Sequence, residues 1–443
     1  MTAVPAVPAL PALPALKVMK RAAPITMALV VMATAARLLG AAVASTDDYR
    51  FPIANPLKSS LIPAGYHPHR PNYLVSLLEV RADRRNVPRF ERKNKLVLAL
   101  FSQGGPAHLV FVIPGVGSYA LSESALMLAE QFHGMGFHSV TLPDPLSWQY
   151  ALGVSESTLP GYLPLDAGEY YELLKRVAGH LKREHRLGIT GYSVAGYSFG
   201  GLLTGFLARL DGERRAFDFE RAVVINPAID IRHAIQVVDG FFASGHSILE
   251  SRKSKLLSSM VDGVIRLRNR PLTDDLVRWA VDQWAFSDDE MKWMIGRSFR
   301  GATMGTIFAS RQIRAHRLLT PPESPERHPR RVDQASRFSF GDYLSQFVFP
   351  SLRHSGSVHL SDEQLLERAS LGALAPELSA NPRVFVVENV DDFLARPEDI
   401  EALKSWLGPR LYLYPQGGHL GNLWYGKNQE DLRRIMSPIV EAR

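Results

Sequence analysis

The chain has 443 residues, 46% of them hydrophobic and 21% charged, an ordinary globular balance that excludes a wholly disordered, collagenous or polytopic membrane protein. It contains no cysteine, so disulfides, thiolate–metal sites and cysteine nucleophiles are excluded, and any nucleophile is another residue type. The 51 basic and 44 acidic residues leave a net charge of +7. Four of the basic ones, Lys17, Lys20, Arg21 and Arg37, precede Ser45, and the remaining surplus is too small for nucleic acid, which needs a concentrated basic surface.

Residues 1–16 alternate proline with alanine and leucine and carry no fold information, because proline removes backbone donors and fixes φ. From Met19 the pattern is that of a secretory signal: Lys20-Arg21, an apolar run from Ala22 to Ala36, and Ala42-Val43-Ala44 as a small-residue cleavage site before Ser45. The expectation for residues 1–44 is therefore a proline-rich extension plus signal-like segment, with an exported, periplasmic or secreted product. Arg37 weakens that reading as it weakens the alternative, an uncleaved anchor through residues 22–44. Residues 45–95 are proline-rich and basic, with Arg81, Arg84, Arg85, Arg89, Arg92, Lys93 and Lys95. They read as a solvated, loop-rich lead-in, with contact to an anionic membrane surface as the rival.

Strand-like runs then begin. Leu96–Phe101 and His108–Ile113 are short, apolar and β-rich, and the second stops at the turn cluster Pro114-Gly115-Val116-Gly117-Ser118. Leu121–His133 has helical spacing, Ser139–Leu142 is a strand, Asp166–Arg186 an amphipathic helix, Gly188–Ser193 a strand, Phe199–Leu210 a helix and Arg221–Ile225 a buried strand. This alternation predicts an α/β fold with a mostly parallel, doubly wound sheet over residues 96–228. Between 229 and 380 the alternation stops. That segment reads as a mainly helical cap insertion, with helices at Thr273–Ala285 and Asp288–Gly296 and a loop rich in Arg, His and Pro from Arg311 to Arg337. The second part of the sheet, residues 381–443, carries strands at Arg383–Val387 and Arg410–Tyr414 and helices at Pro397–Leu407 and Asn428–Val440.

The chemistry concentrates at Gly196-Tyr197-Ser198-Phe199-Gly200-Gly201, between a strand and a helix. A serine on such a sharp turn has its hydroxyl lifted from the sheet, and the helix start offers backbone N–H groups to an anion. A hydroxyl nucleophile also needs a base and a group to orient that base. Asp391 and Asp392 follow one strand and Gly417-Gly418-His419 follows another, so both groups fall at carboxyl ends of strands, where parallel sheets place their sites. On these motifs the chain resembles the α/β-hydrolase superfamily, its serine esterases and lipases, over residues 96–228 and 381–443. The resemblance implies Ser198 as nucleophile, His419 as general base and acid, and Asp392 as the orienting acid, with Asp391 the rival; Asp392-Phe393-Leu394 fits the family's usual pattern after this strand. It also implies an oxyanion hole from the backbone N–H groups of Val116 and Phe199, with Pro114 standing where many members have histidine. Asp-Asp paired with Gly-Gly-His-Leu-Gly is similar to the branch acting on lipid or medium-chain acyl esters.

The function so implied is cleavage of a small-molecule or lipid carboxylic ester through an acyl-enzyme. An acyltransferase or thioesterase with the same three residues, and a non-catalytic binding protein on the same scaffold, are the alternatives. No P-loop or dinucleotide fingerprint is present, and no cofactor or metal is implied. His67 and His69 read as a surface turn, and His180 and His185 as a solvated helix end. The aromatics Phe241, Phe242, Trp279, Trp284, Trp293, Phe338, Phe340, Phe347 and Phe349 read as core of the insertion, some of them lining an acyl cleft in the rival reading.

Overall fold

Each residue of the third strand, Ala107–Ile113, is buried, because alternate side chains feed two different cores. Leu109, Phe111 and Ile113 join a large cluster on one face of the sheet, while Val110 and Val112 join a second cluster on the other. A strand covered on both sides reads as a continuous apolar run. The computed structural model describes residues 48–61, 72–79, 81–84, 95–267, 273–283, 285–313, 328–356 and 358–441.

The sheet has eight strands: β1 Leu74–Glu79, β2 Lys95–Phe101, β3 Ala107–Ile113, β4 His138–Thr141, β5 Ile189–Tyr197, β6 Ala222–Ile225, β7 Val384–Asn389 and β8 Leu411–Tyr414. Their spatial order is β1-β2-β4-β3-β5-β6-β7-β8. β2 runs antiparallel to both its neighbours, and β4, β3, β5, β6, β7 and β8 are mutually parallel. This is an α/β-hydrolase fold: a mostly parallel sheet with helices on both faces and a helical insertion between β6 and β7. Helices Leu163–Glu184 and Phe199–Arg214 cover one face; Glu123–Gly134 and the closing helix Gly426–Glu441 cover the other.

Three expectations need correction. The lead-in is not simply loop. It supplies a helix, Pro56–Leu61, and the edge strand β1, and it buries Tyr49, Phe51 and Ile53 in the second core. Its basic residues Arg85, Arg89, Arg92 and Lys93 lie outside the described residues. The helix expected over Asp288–Gly296 continues to Ile313, and the loop expected over Arg311–Arg337 includes that helix end and a helix at His328–Ser336; residues 314–327 lie outside the described residues. His180 and His185 are half-buried rather than a free helix end: both Nε2 atoms lie 2.8 Å from Ser76 Oγ, tying the long helix to the edge strand.

The insertion is helical, as Ile231–Ala243, Glu250–Leu267 and Asp274–Asp282 illustrate. It packs in two ways. Ile231, Ala234, Phe340, Tyr343, Leu371 and Leu374 extend the large cluster on the sheet, whereas Leu256, Met291, Trp293 and Met294 form a smaller one with Leu57 and Leu61. The described residues form one compact unit. The signal-like segment, His67, His69 and Trp284 lie outside the described residues, among which no helix is long and apolar enough to cross a membrane.

Candidate active site

Ser198 directly follows β5 and precedes the helix Phe199–Arg214. Its backbone sits at φ 57°, ψ −127°, a conformation that costs a non-glycine residue about 1–3 kcal/mol and is tolerated only where the surroundings enforce it. Here they do: the Ser198 N–H donates to Ile225 O at 2.8 Å, locking the turn to β6. The loop after β3 closes on the same point. A Cβ at Gly115 would lie 2.6 Å from Ser198 Cβ, so only glycine lets this loop reach the serine.

The loops after β7 and β8 bring the other two groups. Ser198 Oγ lies 3.0 Å from His419 Nε2, and His419 Nδ1 lies 2.8 Å from Asp392 Oδ2. Ser198 is 5% exposed, His419 7% and Asp392 2%, so the relay is sheltered from bulk water. Asp392 Oδ1 accepts from the Leu394 N–H at 2.9 Å, which fixes the carboxylate. Asp391 has a different partner: its Oδ1 accepts from the Gly418 N–H at 2.8 Å. Asp391 thus holds the histidine loop while Asp392 faces the ring. Partial burial raises the Asp391 carboxyl above its ordinary range.

That loop has further anchors that the sequence alone does not reveal. The His419 N–H donates to Ser60 Oγ at 2.7 Å, Asn389 Nδ2 donates to Gly418 O at 2.7 Å, and Tyr49 OH donates to Gln416 O at 2.8 Å. Each partner is remote in sequence or carries no motif.

The backbone N–H groups expected at an oxyanion hole belong to Phe199, the residue after Ser198, and Val116, the residue after the Gly115 that closes on Ser198. Phe199 opens its helix, so its N–H has no intrahelical partner. Val116 sits in a tight turn closed by the Ser118 N–H on Gly115 O at 3.1 Å. Asp144 braces this turn from behind: its two oxygens accept from Gly117 N–H at 3.1 Å and Leu146 N–H at 2.8 Å. It is 1% exposed, and burial pushes its pKa up to about 8.

A cavity of about 370 Å³ opens over Ser198 and His419. Its lining combines the apolar Leu61, Met294, Ile295, Phe299 and Phe393 with the polar Ser118, Ser122, Ser124 and Glu123. Among the described residues, none of the insertion aromatics singled out from the sequence lines it: Trp293 is buried in the small cluster that Phe241 and Phe242 pack against, Phe340, Phe347 and Phe349 are buried in the large one and Phe338 packs against it, and Trp279 is exposed. Phe299, on the extension of the helix beyond Gly296, and Phe393, beside Asp392, take that place. Among the described residues no cluster of His, Asp and Glu is arranged to hold a metal ion.

No family model matches the chain, and no curated protein matches it. Solved structures similar to it include brefeldin A esterase, a bacterial homologue of human hormone-sensitive lipase, at 13% identity over 92% of this chain and 91% of that one, with a TM-score of 0.41. An esterase of Pyrobaculum calidifontis is 14% identical over 87% and 89%, with a TM-score of 0.39. The thioesterase domain of the curacin biosynthetic pathway is 12% identical over 83% and 99%, with a TM-score of 0.38.

Proposed function

We propose that this protein is a serine hydrolase that cleaves a carboxylic ester with an apolar moiety, through Ser198, His419 and Asp392. One observation carries the reading: a serine held in a strained turn and lining a mostly apolar cavity, within 3.0 Å of an imidazole whose other nitrogen is 2.8 Å from a buried carboxylate. In the reaction His419 Nε2 takes the Ser198 proton as Oγ attacks the ester carbonyl. Asp392 holds Nδ1–H and compensates the imidazolium. The N–H groups of Val116 and Phe199 bind the oxyanion. The imidazolium then protonates the leaving alcohol, and a water activated by His419 releases the acid.

Labelling with a fluorophosphonate probe tests this directly. Wild type should be modified at Ser198 and lose p-nitrophenyl ester turnover, while Ser198→Ala should take no label and lose about four orders of magnitude in kcat. Equal labelling of both proteins would refute the assignment, and faster acyl transfer to added alcohols than to water would identify a transferase instead. Export is a separate part of the proposal, supported by the Ala42-Val43-Ala44 pattern; mass spectrometry of the mature chain should find Ser45 at its amino terminus.

A further inference from the structure

Behind the triad lies a second buried acid that the reaction above does not use. We propose that Glu388, on β7, is a positioning residue of this site: held as a neutral carboxylic acid, it fixes the amide of Asn226, which in turn fixes Asp392. The inference rests on the reading of Ser198, His419 and Asp392 as a catalytic set.

The geometry is that of one amide shared by two acids. Glu388 Oε1 accepts from Asn226 Nδ2 at 2.6 Å and from the Asn389 N–H at 2.8 Å. The same Asn226 nitrogen reaches Asp392 Oδ2 at 3.1 Å, and that oxygen is also the partner of His419 Nδ1. Asn226 has left-handed backbone, φ 41°, just past the end of β6, and its N–H is tied to Val387 O at 2.8 Å. Asparagine tolerates that conformation better than most residues, and it aims the amide between the two carboxyls. Glu388 is fully buried and Asn226 is 1% exposed.

The charges can then be assigned. Two buried carboxyls joined by one neutral amide cannot both be ionised in a low dielectric. Asp392 receives His419, Asn226 and the Leu394 N–H, so the negative charge belongs there. Glu388 has donors on Oε1 alone; Oε2 has none among the described residues, and no Lys or Arg pairs with it. Among the described residues the charged group acting on it is Asp392 across the amide, with His419 beyond, on the far side of Asp392. Burial first, and Asp392 second, push the Glu388 carboxyl well above its ordinary range.

The consequence is chemical. A second anion behind Asp392 would favour the imidazolium over the neutral ring that must accept the serine proton. A neutral Glu388 provides the anchoring without that charge.

The experiment compares wild type, Glu388→Gln, Asn226→Leu and Ser198→Ala in the pH dependence of ester hydrolysis, together with infrared difference spectra. Glu388→Gln should leave the acid limb of kcat/KM in place and remove a protonated-carboxyl carbonyl band from the spectrum. Asn226→Leu should lower kcat about tenfold or more with KM little changed. A downward shift of the acid limb by a full pH unit in Glu388→Gln, or no loss of that band, would mean an ionised Glu388 and overturn the proposal; so would wild-type kcat in Asn226→Leu. Should Asn226→Leu fail to fold, the isosteric Glu388→Gln and its spectrum still decide. Failure of the triad reading itself shows separately, as Ser198→Ala with undiminished turnover.

Discussion

Ser193 and His108 make the same hydrogen bond as Ser198 and His419. His108 Nε2 lies 2.8 Å from Ser193 Oγ, and its Nδ1 is 3.3 Å from Glu220 Oε1, so a serine, a histidine and an acid meet here as well. The two sets differ in their surroundings. Ser193 lies within β5, is 1% exposed, as is His108, and faces no helix start; Ser198 stands in a strained turn under a cavity. Replacing Ser193 with alanine is therefore expected to leave ester turnover per folded molecule unchanged. The two adjacent acids separate in the same way. Asp392→Asn should cost about three to four orders of magnitude in kcat, because an amide cannot hold the imidazole in the working tautomer. Asp391→Asn keeps an acceptor for the Gly418 N–H, and kcat should stay within about threefold of wild type. Ser198, His419 and the two-acid choice were legible because each belongs to a local motif. Asn226, Glu388 and Ser60 were not, since their roles arise from pairings 162 to 359 positions apart.

The elements read most accurately are those whose periodicity is enforced by burial on both sides, such as β3, β6 and β7. The helix Asp288–Ile313 shows why others were missed. Gly296 reads as a stop, yet a Cβ there would lie 2.3 Å from Phe242 N: the glycine permits a close crossing with the helix Ile231–Ala243, and the helix runs on to deliver Ser298 and Phe299 to the cavity. The turn after β3 depends on an equally silent residue, Asp144. Its carboxyl has a folded pKa of about 8 against about 3.9 when unfolded, so between these values the native state holds a proton that the unfolded chain has released. The stability this group contributes is thus full at acid pH and is lost as pH rises toward 8. Urea unfolding at about pH 5, 7 and 9 should show a fall in wild type that is shallower in Asp144→Asn.

At the scale of the whole molecule, the lead-in was the largest misreading. Its prolines and arginines suggested solvated chain, but Leu74–Glu79 pairs residue for residue with β2, and Tyr49, Leu57 and Ser60 pack against the site's own loops and cap. Flanking composition outweighed a six-residue strand, and an edge strand has only one neighbour to enforce its pattern. A chain starting at Ser45 retains these contacts. One starting beyond Leu61 should melt lower by differential scanning fluorimetry and lose kcat more than KM, because the His419 N–H then has no hydroxyl to hold it.

The bond from His419 N–H to Ser60 Oγ spans 359 positions, so the stretch that leaves the ribosome early must wait for nearly everything after it before the imidazole loop can settle. Contacts of such long range form late and slowly. A nascent chain, or one threaded unfolded through a translocon, is on this account chemically inert, and refolded protein should recover its far-ultraviolet dichroism before its first turnover.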